Sequence, residues 1–281
     1  MIRKILYPTD FSHASESGIA MLRNLRELGT EEVFVLHAID LNKILGPVSG
    51  IDIPAVINDY ERETEQNLER FADMVRREGL KVNALQPRIG EPSSVICETA
   101  EEVEADMIVI PSQGKGFIAG ILLGSVSEGV VKRSRKPVLV LKFRDHQGEQ
   151  KVSSIFETIA VGFDFSDRSE KMLNFVSFFS ESKDCRKVIL IHVLERKAEL
   201  NEESMKRLKE IEDSFKENGV DVETVIESGT PYKEVVRISE QKNATMTAIA
   251  SSGEGFMKSL LGGTAYEVVR KSRIPVFVYK E

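Results

Sequence analysis

The chain has no tryptophan, only two cysteines and four histidines, and no apolar run approaching the ~20 residues that span a bilayer. Each shortage removes a class of function. Cys97 and Cys185 fall at non-corresponding places, so neither a disulfide framework nor a thiolate metal site is indicated, and a reducing interior fits best. His13, His37, His146 and His192 contain no pair at the i,i+4 spacing of a helical metal site, which argues against a resident metal. The first apolar run begins at Ile5, leaving no room ahead of it for a cleavable signal of ~15–30 residues. These absences point to the cytoplasm and away from a membrane. Thirty-eight Lys and Arg against 45 Asp and Glu give a net charge of −7, which disfavours a large nucleic-acid footprint. The local basic stretch Lys132-Arg133-Ser134-Arg135-Lys136 reads instead as a helix end complementing its dipole.

What the chain does have, it has twice. Ile5-Leu6-Tyr7-Pro8-Thr9-Asp10-Phe11-Ser12 is matched by Ile159-Ala160-Val161-Gly162-Phe163-Asp164-Phe165-Ser166, an apolar run closing on Asp-Phe-Ser. Later in each half a glycine loop recurs, Gly114-Lys115-Gly116 with Gly124-Ser125, and Gly253-Glu254-Gly255 with Gly263-Thr264. With 281 residues, two domains of near-typical size follow: 1–144 and 155–281, joined by a polar linker at 145–154.

Short apolar runs alternate with longer amphipathic ones, the pattern of parallel strands joined by crossover helices. Ile5–Pro8, Val33–Ile39, Val82–Pro87, Met107–Ile110 and Val138–Leu141 are expected strands; 14–28, 58–78, 93–104 and 126–134 are expected helices. The second half repeats the strands near 158–161, 188–194, 222–226, 246–250 and 276–279. Asp10 and Asp164 are 154 apart but Gly114 and Gly253 only 139, so the first half carries extra residues. They fall at 41–57, expected to be a long loop, an ordinary surface insertion ahead of a lid.

An open α/β sheet binds ligands beyond the carboxyl ends of its strands, where Asp10 and Asp164 stand. A carboxylate there accepts from a ribose hydroxyl or a base amine; equally, it caps the following helix. The glycine loops let backbone N–H groups approach an anion, and the helix start adds a partial positive charge. Ser125 and Ser127 would donate hydroxyls to phosphate. Ser125-Val126-Ser127-Glu128 and Thr264-Ala265-Tyr266-Glu267 also read as capping boxes. From Gly124 to Pro137 is 13 residues but from Gly263 to Pro275 only 12, so Gly262 competes with Gly263 as the equivalent of Gly124. His37 and His192 lie in apolar strands and are expected to be hydrogen-bonded core residues.

On these segments the chain resembles the universal stress protein family, as two tandem family domains covering nearly all of it. The family pattern is Gly, two residues, Gly, nine residues, Gly and then Ser or Thr; its second part is matched by Gly114 with Gly124-Ser125 and by Gly253 with Gly263-Thr264. Pro8-Thr9-Asp10 and Ala38 resemble its adenosine-contacting positions, with Phe163, Asp164 and Val193 at the corresponding places in the second half. The pattern's first glycine is replaced by Pro111 and by Ala250.

The resemblance implies two five-stranded parallel-sheet domains, Rossmann-like and of the adenine nucleotide alpha hydrolase type, forming an intrachain pseudo-dimer through strands 138–141 and 276–279. It implies binding of an adenine nucleotide, AMP or ATP, with or without Mg2+. The site would comprise Pro8, Thr9, Asp10, Ala38, Gly114, Lys115, Gly116, Gly124, Ser125, Val126 and Ser127. A second, less preserved site would use Phe163, Asp164, Val193, Gly253, Gly255, Gly262, Gly263 and Thr264. Further partners would be an unidentified regulatory protein and a second chain in a homodimer. No catalytic residue is indicated: Gly-x-x-x-x-Gly-Lys-Ser/Thr and Gly-x-Ser-x-Gly are both absent. A scaffold without nucleotide and a slow nucleotide hydrolase are the competing readings.

Overall fold

The computed structural model describes residues 2–44, 53–113, 123–143, 154–194, 200–251 and 261–280. In chain order the elements are β1 Lys4–Pro8, α1 His13–Glu27, β2 Glu32–Leu36, β3 Ala38–Ile39, α2 Leu41–Ile44, α3 Ile53–Arg76, β4 Lys81–Ala84, β5 Arg88–Ile89, α4 Pro92–Glu102, β6 Met107–Pro111, α5 Ser125–Arg133 and β7 Val138–Leu141. They continue with β8 Thr158–Gly162, α6 Asp167–Ser180, β9 Lys187–Leu194, α7 Glu202–Glu217, β10 Asp221–Ser228, α8 Pro231–Gln241, β11 Met246–Ala250, α9 Gly263–Lys271 and β12 Val276–Tyr279. Two compact units result, Ile2–Lys136 and Pro137–Glu281.

In the first unit the strands run β6-β1-β2-β4, all parallel. Ile5, Leu6, Tyr7, Val33, Val35, Met107, Ile108 and Val109 are fully buried, as expected for a parallel sheet covered on both faces. Helix α1 places Ile19, Leu22 and Leu25 against it at helical spacing, and α3 contributes Leu68, Phe71 and Val75. The Tyr7 hydroxyl donates to Ser15 O at 2.8 Å, which satisfies the one polar atom of a buried ring.

Two expected strands are interrupted. The run 33–39 breaks at His37 into β2 and β3, and the run 82–87 gives way to β4 and β5. The cause is an extra residue. Lys81 pairs with Glu32 and Arg88 with Ala38, seven steps on one strand against six on its neighbour. The additional residue lies in a stretch containing Pro87, which has no N–H to give a ladder. The second half lacks it: β9 and β10 pair without interruption from Lys187–Asp221 to Leu194–Ser228.

The segment 41–57 is not wholly loop. Leu41–Ile44 is helical and α3 begins at Ile53, ahead of the expected start at 58; residues 45–52 lie outside the described residues.

Close packing of α4 on α5 depends on Gly129. A Cβ there would stand 2.6 Å from Ser93 Cβ. Gly129→Ala is therefore expected to destabilise the protein by about 1–3 kcal/mol, the usual effect of overpacking, measured as a lower urea midpoint at unchanged slope.

In the second unit the order is β10-β9-β8-β11-β12-β7. All pairs are parallel except β12 with β7, antiparallel through Val276–Val140, Phe277–Leu139 and Val278–Val138. Strand 138–141, counted with the first half by repeat, thus lies in the compact unit of the second. Phe156, Phe179 and Phe277 form the aromatic centre of this core, with ring centroids 5.0 Å apart in each successive pair.

Candidate functional site

The repeated Asp-Phe-Ser is a turn that swings each first strand into its helix. Asp10 Oδ1 accepts from Ser12 N at 3.1 Å, and Asp164 Oδ1 from Ser166 N at 3.1 Å, an Asx turn in both halves. Between them Phe11 and Phe165 take the left-handed conformation, with φ 57° and 60°. A bulky residue holds such a φ only when packing over-determines it. Here the packing is a histidine: Phe11 stacks on His37 with centroids 4.7 Å apart, and Phe165 meets His192 edge-on at 4.8 Å.

Each histidine is itself fixed. His37 Nδ1–H donates to Thr9 O at 2.7 Å and His192 Nδ1–H to Phe163 O at 2.8 Å, a carbonyl being able only to accept. The expectation of hydrogen-bonded structural histidines therefore agrees with the geometry. The meaning of the phenylalanine was missed, although its recurrence with a recurrent histidine was visible.

Neither aspartate caps the helix through its own position. The N-caps are Ser12 and Ser166, whose hydroxyls accept from Ser15 N and Ser169 N. Asp10 instead accepts from Ser15 Oγ at 2.9 Å, and Asp164 from Ser166 Oγ at 2.6 Å. Asp10 is half-buried and Asp164 exposed. Both carboxylates are held in place by the turn and its serines.

The register shows what lies level with them. Leu6 pairs with Ile108 and Pro8 with Leu36, so continuing each strand puts Asp10 abreast of Ser112 and Ala38. Gly162 pairs with Ile249 and Ile191, which puts Asp164 abreast of Ser251 and Val193. In both halves this is the switch point of the sheet, where successive connections depart to opposite sides.

Helices α5 and α9 begin at these switch points. Gly124 N–H donates to Ser112 O at 2.6 Å, and Gly262 N–H donates to Ser251 O in the same way. Ser112 and Ser251 recur at the same offset as the glycine loops, a repeat legible in the sequence. A Cβ on Gly124 would stand 3.3 Å from Ser112 O, a tight contact that glycine relieves where the helix starts close to the strand.

The capping-box expectation is corrected by this geometry. The N-caps are Gly124 and Gly262, with no side-chain cap, and Glu128 N and Tyr266 N are the first bonded back, to Gly124 O and Gly262 O. Ser125 is thus the first helical residue, and Gly262, not Gly263, corresponds to Gly124. Gly263 then stands at Ser125's place, Thr264 at Val126's and Ala265 at Ser127's. Intrahelical bonding leaves the N–H groups of Ser125, Val126 and Ser127 at the open end of α5. Ser125 is exposed, whereas Ser127 is buried and donates its hydroxyl to Pro111 O at 2.7 Å. The proton of Ser127 is spent tying α5 to β6, which leaves Ser125 as the hydroxyl available to an anion.

Pro8, Thr9, Asp10, Ala38, Gly124, Ser125, Val126 and Ser127 are thereby brought to one end of one sheet. Phe163, Asp164, Val193, Gly262, Gly263 and Thr264 are brought to the corresponding end of the other. Phe163 is buried, its ring 5.0 Å from Phe165, where the first half has the smaller Thr9. Gly114, Lys115, Gly116, Gly253 and Gly255 lie outside the described residues, as do 144–153 of the expected linker. Among the described residues no group of three or more His, Cys, Asp and Glu could hold a metal ion, and no helix is long and apolar enough to cross a membrane.

The model of the Universal stress protein family matches residues 1–142 and again 156–280. A universal stress protein of Methanocaldococcus jannaschii is 36% identical over 158 residues, 50% of this chain and 96% of the relative. A second from the same organism is 30% identical over 142 residues, 50% of this chain and 83% of the relative. The crystal structure of a universal stress protein from Archaeoglobus fulgidus superposes with a TM-score of 0.78 at 31% identity, covering 99% of this chain and 96% of that one.

Proposed function

We propose, for a chain that belongs to the universal stress protein family, that it binds an adenine nucleotide, AMP or ATP, in its first half and serves as a stress-response regulator in the cytoplasm. The observation that carries this reading is the convergence of Asp10, Ala38 and the Gly124-capped start of α5 at the switch point between β1 and β6. Asp10, oriented by Ser12 and Ser15, accepts from the ribose hydroxyls or the adenine amine, with Thr9 and Ala38 alongside. The N–H groups of Ser125, Val126 and Ser127, with the Ser125 hydroxyl, meet a phosphate; the helix start contributes up to ~2 kcal/mol there. Any Mg2+ travels on the nucleotide's own phosphates, since the described residues offer no carboxylate cluster.

The second half supports binding less well. Gly263 and Ala265 replace the two serines, and the buried Phe163 ring replaces Thr9. A nucleotide-free scaffold is the competing reading, favoured by Pro111, which has no N–H for a ligand and whose carbonyl is already taken by Ser127. Freshly purified protein is expected to release adenine nucleotide on denaturation and to bind added AMP or ATP in calorimetry. Protein that neither carries nor binds nucleotide selects the scaffold. Phosphate release over many turnovers, lost on mutation of the site, selects a slow hydrolase.

A further inference from the structure

The two aspartates that close the repeated turns are wired differently. Asp10 Oδ1 accepts from Ser12 N at 3.1 Å and from Ser15 Oγ at 2.9 Å. An ionised carboxylate only accepts, so the Ser15 proton lies on Asp10, and the Ser12 hydroxyl, 3.3 Å from Ser15 Oγ, is the donor in that contact. Two hydroxyls in series thus end on one carboxylate.

Ser15 is itself anchored. It sits in the first turn of α1, 2% exposed, and its carbonyl takes the Tyr7 hydroxyl at 2.8 Å. The Tyr7 ring is fully buried and stacks on Phe71 of α3 with centroids 5.9 Å apart. Burial, and after it the Asp10 charge, push the pKa of this hydroxyl up, so it keeps the proton it donates.

In the second half the corresponding residues are connected otherwise. Val161 stands in Tyr7's place and has no hydroxyl. Ser169, the counterpart of Ser15, donates to Ser166 O at 2.9 Å. Asp164 Oδ1 therefore takes both its N–H and its O–H bond from the one residue Ser166, at 3.1 and 2.6 Å. Asp10 is gripped from the turn and, independently, from a helix tied to β1. A carboxylate fixed by two residues has lost its freedom before a ligand arrives, which lowers the cost of binding.

We propose that Ser15, braced by Tyr7, is a positioning residue that holds the Asp10 carboxylate ready for ligand in the first half alone. This role rests on the adenine-nucleotide reading of the first-half site.

The test pairs AMP and ATP calorimetry with an NMR pH titration of the Asp10 carboxyl carbon in nucleotide-free protein. Ser15→Ala leaves the backbone cap from Ser12 in place and changes no charge, so it reads the hydroxyl alone. Expected are an affinity about five- to ten-fold lower and an Asp10 midpoint moved upward by about half a pH unit or more, because a donor to the charged form is lost. Tyr7→Phe, which keeps the stacked ring, should move both in the same direction by less. Ser169→Ala, the same deletion in α6, should move neither. An Asp10 midpoint that Ser15→Ala and Tyr7→Phe both leave unmoved, or an affinity after Ser15→Ala no lower than after Ser169→Ala, overturns the assignment. The titration uses no nucleotide: an unmoved Asp10 overturns the positioning role even where AMP binds, and absent binding overturns the ligand reading even where Asp10 responds.

Discussion

Replacing Asp10 by alanine is expected to weaken AMP and ATP binding about 10- to 100-fold, whereas Asp164→Ala should change it less than about three-fold. The size follows from removing a charged acceptor, worth about 1.5–3 kcal/mol per hydrogen bond. The direction follows from the contrast between the halves. Asp10 is half-buried and held by Ser12 N and Ser15 Oγ, in the half where α5 starts with an exposed serine; Asp164 is exposed, in the half where Phe163, Gly263 and Ala265 stand in place of Thr9, Ser125 and Ser127. Because Asp10 also closes an Asx turn, its loss lowers stability as well. Asp10→Asn separates the two effects: the amide oxygen keeps the turn, so the urea midpoint should recover while affinity remains reduced. Equal loss from both aspartate variants in calorimetry would contradict the preference for the first half.

The second large effect concerns Lys142, which follows β7 and is only 5% exposed. Burial disfavours its charged form and brings its pKa down to about 7 from the ordinary 10.5. The sign follows from proton counting. Between about pH 7 and 10.5 the unfolded chain binds more protons at this residue than the folded one, so the Lys142 contribution to stability rises with pH across that window. Below it both states are charged and the folded state carries the net penalty of holding that charge in the interior, on the order of 3–5 kcal/mol. Lys142→Met should accordingly stabilise the protein near pH 7 and lose that advantage by about pH 10. Urea denaturation of both proteins at the two pH values reads this directly, and taking their difference cancels other titrating groups such as Tyr7. An advantage independent of pH would mean that packing, not charge, is responsible.

How much of this was legible in the sequence varies with the range of the interaction involved. The strands Met107–Ile110 and Val138–Leu141 were plain because an apolar run between turn residues has few other outcomes. Breaks at His37 and Pro87 were not, since a strand's continuity depends on its neighbour's residue count. The capping boxes failed for a related reason. Ser-x-x-Glu satisfies a local rule at Ser125, but the close approach of Gly124 to Ser112 O starts the helix one residue earlier, and that contact belongs to the tertiary fold. The count from glycine to proline did contain the right answer for Gly262, because a helix of fixed length must deliver its apolar face in phase. Asp10 was found, though as one of two alternatives; its partners Ser12 and Ser15 and the left-handed Phe11 emerge only when the turn is built.

The antiparallel pairing of β7 with β12 has a genetic consequence. Leu139 is encoded with the first repeat, yet it sits opposite Phe277 in the sheet of the second unit, both side chains fully buried. A mutation there is inherited with the first copy, yet it alters a ladder that the second copy's last strand shares. The two halves of the duplicated gene are therefore free to diverge at their ligand-binding ends but must keep their last strands in step.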